Sequence, residues 1–281
     1  MLSAEHEIEH IASLGQSART EFNGCELSWR IWGAGAPLLL LHGGYGAWTH
    51  WLRNIEALSQ HYRVLVPDVP GHGASAMPPL GWTAEWLASA LSAGAEQLSE
   101  ASDKLRGAGF SMGGLLLGHV AAQLSDRFSH VVLLGPNGMQ LSAPDLPPLQ
   151  SLRSLGVNPS AEAVCAVHRF NLAALMLAQP QAVDATAIEL QTNNIAQSRL
   201  NTEALPRSDV LLRALPRVRA RISGIWGEHD VFVGAYMDER RQCLAQFQAD
   251  LDFRVISGAG HWVMYEQPER VNAALLEQLA A

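Results

Sequence analysis

The sequence predicts an α/β fold in which helices cover both faces of a mostly parallel sheet. Short apolar runs that end in turn residues alternate with segments of helical spacing, which is typical of parallel strands buried on both sides. The chain has 281 residues, of which 48% are hydrophobic and 16% charged, so it can bury a large core. The alternation stops between residues 140 and 205, where we expect an inserted helical segment.

The core elements follow one another along the chain. We expect strands at residues 26–32, 37–41, 62–69, 108–110, 130–134, 222–226 and 253–256. We expect helices at residues 48–60, 82–98, 112–124 and 268–279. Pro268 suits the first turn of the last helix, where its missing N–H costs nothing.

The inserted segment is expected to form a helical cap over the core. Prolines separate three stretches of helical character, at residues 150–155, 161–177 and 184–200. The predicted organisation is therefore a first part of the core at residues 1–139, a cap at residues 140–205 and a second part of the core at residues 206–281.

Composition and charge exclude several classes of protein. The formal net charge of −8 argues against a nucleic-acid partner, because such proteins neutralise phosphates with lysine and arginine. The apolar runs are too short to span a membrane, and residues 1–16 lack the pattern of a secretory signal. Cys25, Cys165 and Cys243 have neither disulfide nor metal spacing. We expect a cytoplasmic protein without a metal that acts on a small-molecule substrate. Its oligomeric state stays open, with a homodimer as one option.

Residues 109–113 read Gly-Phe-Ser-Met-Gly and fit the pattern of a nucleophile elbow. In this turn a strand bends sharply into a helix and leaves the serine hydroxyl exposed. Side chains two residues before and two residues after the serine would collide, so both positions are glycine. The pentapeptide alone is a weak signal, but the strand predicted before it and the helix predicted after it supply the required context. Ser111 is the candidate nucleophile.

A glycine-rich loop, His42-Gly43-Gly44-Tyr45-Gly46, follows the strand at residues 37–41. Acyl transfer creates an oxyanion that two backbone N–H groups can hold. Gly44 and Met112 are the expected donors, whereas His42 is expected to brace the loop. A phosphate-binding loop is disfavoured because the sequence has neither the P-loop nor the dinucleotide-binding pattern.

An acid and a base follow in the chain order that accompanies this elbow motif, Asp or Glu and then His. Asp230 ends the segment Trp226-Gly227-Glu228-His229-Asp230, with Glu228 as a second candidate for the acid. His261 lies in Gly258-Ala259-Gly260-His261-Trp262, after another apolar strand. A carboxylate would fix the tautomer of this imidazole. The remaining histidines, including His50, His72 and His229, are expected to be surface, packing or structural residues.

Together these segments resemble the α/β-hydrolase family, through His42-Gly43-Gly44, residues 68–73, Gly109 to Gly113, Gly227 to Asp230 and Gly260-His261. The resemblance implies a sheet of about eight strands, a cap over the site and no cofactor. It covers the core on both sides of the predicted cap.

Within that family the chain is similar to small capped esterases and to meta-cleavage product hydrolases, which cut a carbon–carbon bond. Gly260-His261-Trp262 is similar to the histidine segment of the latter enzymes, and Arg199 is a candidate for their carboxylate clamp. Two departures weigh against carbon–carbon cleavage. Phe110 stands where those enzymes usually have asparagine, and Tyr45-Gly46-Ala47 replaces their glycine–proline loop.

The sequence therefore predicts a serine hydrolase that cleaves a small, partly apolar carboxylic ester. Substrate-binding candidates are Gly43, Tyr45, Phe110, Arg199 and Trp262. One alternative is a carbon–carbon hydrolase of 2-hydroxy-6-oxo-dienoates. Another is a cofactor-free perhydrolase or oxygenase that uses the same three catalytic residues. A haloalkane dehalogenase is disfavoured because it needs aspartate as the nucleophile.

Overall fold

The computed structural model describes residues 3–280, which build one eight-stranded sheet with the order β1-β2-β4-β3-β5-β6-β7-β8. The first two pairings, β1 with β2 and β2 with β4, are antiparallel, and the others are parallel. The strands are β1 (Gln16–Phe22), β2 (Cys25–Trp32), β3 (Pro37–Leu41), β4 (Arg63–Pro67), β5 (Leu105–Phe110), β6 (Phe128–Leu134), β7 (Arg221–Gly227) and β8 (Asp252–Ile256). The predicted α/β class and the mostly parallel sheet are confirmed.

Helices lie on both faces of this sheet. They are α1 (Ala4–Ser13), α2 (Leu52–Ser59), α3 (Ala84–Gln97), α4 (Met112–Gln123), α5 (Ala161–Leu175), α6 (Ala185–Ala196), α7 (Val210–Ala214), α8 (Met237–Ala245), α9 (Val263–Glu266) and α10 (Pro268–Ala280).

Strand β3 shows why the central strands are continuously apolar. Leu38 and Leu40 belong to one buried cluster, whereas Leu39 and Leu41 belong to the other. Successive side chains of a strand point to opposite faces, so a strand covered on both sides must be apolar at every position.

Several elements differ from the sequence-based expectations, which did not include the helices α7, α8 and α9. The structure adds β1 and α1 before the first predicted strand. Strand β1 pairs only with β2, and its side chains are mostly exposed, so it has little apolar signal. The predicted helix at residues 48–60 is a 3₁₀ turn, Trp48–Trp51, followed by α2.

The segment between β6 and β7 holds α5, α6 and α7, together with two short 3₁₀ turns before α6 and one after α7. Its secondary structure is helical, as expected for residues 140–205, and the division into core and cap stays a prediction. Among residues 3–280, no helix has both the length and the apolar character needed to cross a membrane.

Candidate active site

The turn between β5 and α4 has the backbone of a nucleophile elbow. Ser111 lies between them with φ of +53° and ψ of −116°, a conformation that L-residues rarely adopt. A Cβ on Gly109 would lie 2.4 Å from the carbonyl oxygen of Gly113, and one on Gly113 would lie 2.3 Å from that of Leu41. Both positions therefore require glycine, which is the physical reason for the motif.

Asp230 and His261 form a buried hydrogen-bonded pair. Asp230 follows β7 and His261 follows β8, and the histidine Nδ1 lies 2.8 Å from the carboxylate Oδ2. Their side chains are only 1% and 6% exposed. The other carboxylate oxygen accepts the N–H of Phe232 at 2.9 Å. This arrangement places the imidazole proton on Nδ1 and leaves Nε2 as the basic nitrogen.

The carboxyl ends of the parallel strands bring this pair to the elbow. The Ser111 N–H donates to the carbonyl of Leu134 at 2.8 Å, and Gly135 follows directly. A Cβ on Gly135 would lie 3.2 Å from both Asp230 Oδ2 and His261 Cε1. Within residues 3–280, the Ser111 hydroxyl and His261 share no hydrogen bond, so the two side chains must approach each other to form the serine–histidine contact.

The predicted oxyanion loop lies against the nucleophile. A Cβ on Gly43 would lie 3.3 Å from the Cβ of Ser111. The Gly43 N–H is already used, because it donates to Nδ1 of His50 at 3.2 Å. The N–H groups of Gly44 and Met112 donate to no other residue in the described chain. Both remain available as hydrogen-bond donors.

Three buried histidines support this loop, and burial holds the pKa of each below its usual range. Burial lowers the pKa of His42 to about 4 and that of His72 to about 3. Burial and the neighbouring histidines also lower the pKa of His50 well below normal. The Nε2 of His42 accepts the N–H of Val69 at 2.9 Å, so this ring is neutral and braces the loop as expected.

His50 is the residue that sequence reasoning did not assign to the site. Its ring packs against Gly46, where an added Cβ would lie 2.3 Å from the imidazole. Its backbone carbonyl accepts the indole N–H of Trp262 at 3.1 Å. No local motif marks His50, because its partners come from the glycine-rich loop and from the segment after β8.

The substrate-binding candidates occupy different environments. Phe110 and Trp262 are fully buried, and the Phe110 ring lies 4.9 Å from the His261 ring. Tyr45 is 41% exposed and has φ of +54°. Burial and Glu203 raise the pKa of its phenol. Gly43 lies beside Ser111, as described above. The substrate contacts of these residues stay predictions.

Arg199 lies against the loop at residues 71–76. Its guanidinium donates to the carbonyls of Gly73, at 3.1 Å, and Ser75, at 2.5 Å. Its own N–H donates to the carbonyl of Gly71 at 2.9 Å. Both side-chain bonds use the Nη2 of the arginine that the sequence suggested as a carboxylate clamp, and that role stays a prediction.

The histidine segment is also tied to the chain that follows α5. The Glu266 carboxylate accepts the N–H of Gly260 at 2.6 Å and those of Ala178 and Gln179. The Trp262 N–H donates to the carbonyl of Met176 at 2.8 Å. A cavity of about 270 Å³ adjoins this junction, lined by Ala173, residues 175–178, His229, Val231 and Gly260.

The fold and the elbow define a class of enzyme, and comparison with known proteins agrees. The chain belongs to the alpha/beta hydrolase family, whose family model matches residues 38–274. The expected family is therefore confirmed, and the protein is a hydrolase.

Two similar proteins have names that describe different reactions. Over 259 residues the chain is 27% identical to a 2-hydroxy-6-oxo-6-phenylhexa-2,4-dienoate hydrolase of Burkholderia cepacia, with 88% of this chain and 89% of that one covered. Over 106 residues it is 37% identical to a pimeloyl-(acyl-carrier protein) methyl ester esterase of Vibrio cholerae, with 38% and 39% covered.

Solved structures include the same two kinds of enzyme. Naproxen esterase from Bacillus subtilis superposes with a TM-score of 0.73 at 21% identity, covering 98% of this chain and 96% of that one. A variant of the meta-cleavage product hydrolase CumD also gives 0.73, at 22% identity, covering 95% and 98%. At these identities the likeness shows the fold alone.

Proposed function

We propose that this hydrolase cleaves small, partly apolar carboxylic esters through an acyl-enzyme. Ser111 is the nucleophile, His261 the general base and Asp230 the carboxylate that orients the base. The observation that carries the proposal is the buried hydrogen bond of 2.8 Å between Asp230 and His261, placed beside a serine on a strained turn.

The first half of the reaction forms the acyl-enzyme. The Nε2 of His261 takes the Ser111 proton while the serine oxygen attacks the ester carbonyl carbon. The carbonyl oxygen becomes an anion, held by the N–H groups of Gly44 and Met112. The bond between carbon and the alcohol oxygen then breaks, and the alcohol leaves with the proton from His261.

The second half releases the acid. A water molecule attacks the acyl carbon and gives a proton to His261, and the same two N–H groups hold the new oxyanion. The bond to the serine oxygen then breaks. The proton on His261 returns to Ser111, so the enzyme ends in its starting state.

The contacts of Arg199 favour an ester over a dienoate. Cleavage of a 2-hydroxy-6-oxo-dienoate by this site would be helped by a cation that binds the substrate carboxylate. One guanidinium nitrogen of Arg199, Nη2, is bonded to the Gly73 and Ser75 carbonyls, which holds the side chain against the loop at residues 71–76. Phe110, buried next to the nucleophile, adds no polar group there.

Carbon–carbon cleavage is the second candidate, because the Burkholderia relative that matches 88% of this chain is a dienoate hydrolase. Ser111, His261 and Asp230 would serve carbon–carbon cleavage as well, and the two reactions would differ in how the substrate is recognised. We further propose that residues 140–205 act as the cap that selects the substrate, since the chain that follows α5 is bonded through Glu266 to the histidine segment.

A side-by-side assay separates the two reactions. We would compare kcat/KM of the purified enzyme on short p-nitrophenyl esters and on a 2-hydroxy-6-oxo-hexadienoate. The proposal expects the esters to be the better substrates by at least about 10-fold, a difference of about 1.4 kcal/mol in transition-state binding. A dienoate preference of that size would establish the second candidate. Activity that requires added peroxide or oxygen would indicate the perhydrolase or oxygenase alternative.

A further inference from the structure

A second cavity, of about 220 Å³, is lined by residues other than Ser111 and its neighbours. Its walls come from α1, β2, residues 47–49 and α6. Arg30 and Asp68 are the charged residues that line it. Ser111, Asp230 and His261 do not line it, so any ligand there occupies a separate site.

Arg30 presents to this cavity a cation that has no hydrogen-bonded partner, although its charge interacts with that of Asp68. Its guanidinium carbon lies over the indole of Trp48, 4.8 Å from the centre of the ring. The side chain is half-buried, yet within residues 3–280 it donates no hydrogen bond and forms no ion pair. A guanidinium that contacts an aromatic ring can still donate from its N–H groups, whose geometry matches the two oxygens of a carboxylate.

Asn194 supplies a second hydrogen-bond donor that has no partner. It is buried, and its Oδ1 accepts the hydroxyl of Thr49 at 2.9 Å. That bond fixes the amide and leaves Nδ2 buried without a partner. Buried donors are nearly always satisfied in folded proteins, so this amide indicates an acceptor that a ligand or water would supply.

Asp68, the carboxylate that lines this cavity, does not accept a hydrogen bond from Arg30 or Asn194. Asp68 accepts the N–H of Trp48 at 2.9 Å with one oxygen and the N–H of Ala74 at 3.0 Å with the other. Both of its oxygens are therefore hydrogen-bonded to backbone N–H groups, and Asp68 acts on Arg30 through its charge without a direct hydrogen bond. The remaining walls include the apolar side chains of Ile8, Ala47 and Leu190.

We propose that this cavity binds a small organic carboxylate. The Arg30 guanidinium and the Asn194 amide donate to the carboxylate oxygens, and the hydrocarbon part lies against the apolar wall. The cavity is smaller than a typical drug-sized pocket, which limits the ligand to a short acid. The inference does not depend on the reaction catalysed at Ser111.

The test is calorimetric titration of benzoate into the Ser111→Ala variant, which removes the nucleophile and keeps the second cavity. Benzamide, a neutral analogue, is the ligand control. We expect saturable binding of benzoate and at least about 10-fold weaker binding of benzamide, because charge-assisted bonds are lost. Absence of benzoate binding, or equal binding of both compounds, would overturn the proposal.

Two further substitutions locate the site. Arg30→Gln removes the cation, and Asn194→Asp keeps the Thr49 acceptor while it replaces the free donor with an oxygen. Each should weaken benzoate binding at least about 10-fold. Arg213→Gln, which removes an exposed arginine paired with Asp209, is the matched control. Unchanged affinity in either cavity variant would place benzoate elsewhere and refute the assignment. Thermal melting verifies that each variant is folded.

Discussion

The N–H of Gly43 donates to Nδ1 of His50 over 3.2 Å, and this bond connects the oxyanion loop to the turn before α2. The same histidine receives the indole N–H of Trp262 on its backbone carbonyl. Because Trp262 directly follows His261, one buried residue connects the loop that would hold the oxyanion with the segment that carries the base.

We expect His50→Ala to lower kcat by about 10-fold or more with a smaller change in KM. The substitution leaves the Gly43 N–H without its acceptor, at a cost of about 1–3 kcal/mol, and removes the ring that packs against Gly46. The loop then loses the geometry that presents the Gly44 N–H. Steady-state kinetics on a p-nitrophenyl ester measures the effect. His50→Asn keeps a hydrogen-bond acceptor, so its kcat should lie between those of the wild type and His50→Ala. An unchanged kcat in His50→Ala would contradict a positioning role.

Glu266 offers a test of the connection between the histidine segment and the chain after α5. In Glu266→Gln one carboxylate oxygen becomes an NH₂ group, which faces backbone N–H donors of Gly260, Ala178 or Gln179. We expect a loss of about 1–3 kcal/mol in the free energy of unfolding, together with reduced kcat/KM. Urea denaturation and steady-state kinetics measure both. Glu269→Gln, an exposed neighbour in α10, is the control and should match the wild type. Equal stability of the two variants would show that the carboxylate does not hold the junction.

The buried histidines predict a loss of stability in acid. Burial lowers the pKa of His72 to about 3, whereas the unfolded chain binds this proton near pH 6.5. Between these values the unfolded state binds more protons than the folded state. The free energy of unfolding therefore falls as the pH falls from 6.5, by up to about 1.4 kcal/mol per pH unit for each such histidine.

Urea denaturation between pH 7.5 and 5 in wild type and His72→Gln measures this contribution. The variant cannot take up the proton, so its stability should depend less steeply on pH by about one proton. His61→Gln removes an exposed histidine and should keep the wild-type slope. Identical slopes for wild type and His72→Gln would mean that His72 is protonated equally in both states.

The sequence predicted those elements that a run of apolar residues or a short glycine motif marks locally. The run Pro37–Leu41 is apolar at every position because both faces of β3 are covered. The glycines at 109 and 113 mark the elbow because no Cβ fits there. Strand β1 was missed because its mostly exposed side chains carry little apolar signal.

Residues that act through distant partners could not be assigned in the same way. His50 joins the site through Gly43 and Trp262, which lie on two other segments. The bonding of Arg199 depends on carbonyls more than 120 positions earlier in the chain, which no periodicity reveals. The cavity at Arg30 likewise forms only when β2 and α6 meet.

We propose that Ser111, activated by His261 and Asp230, is the nucleophile of the reaction. The most direct measurement is kcat of Ser111→Ala against wild type on a p-nitrophenyl ester that the wild type hydrolyses. Thermal melting shows that the variant is folded. We predict that kcat falls by at least about 10³-fold, as expected when the nucleophile of a Ser-His-Asp triad is removed. A kcat of folded Ser111→Ala within about 10-fold of the wild-type value would show that Ser111 is not the nucleophile.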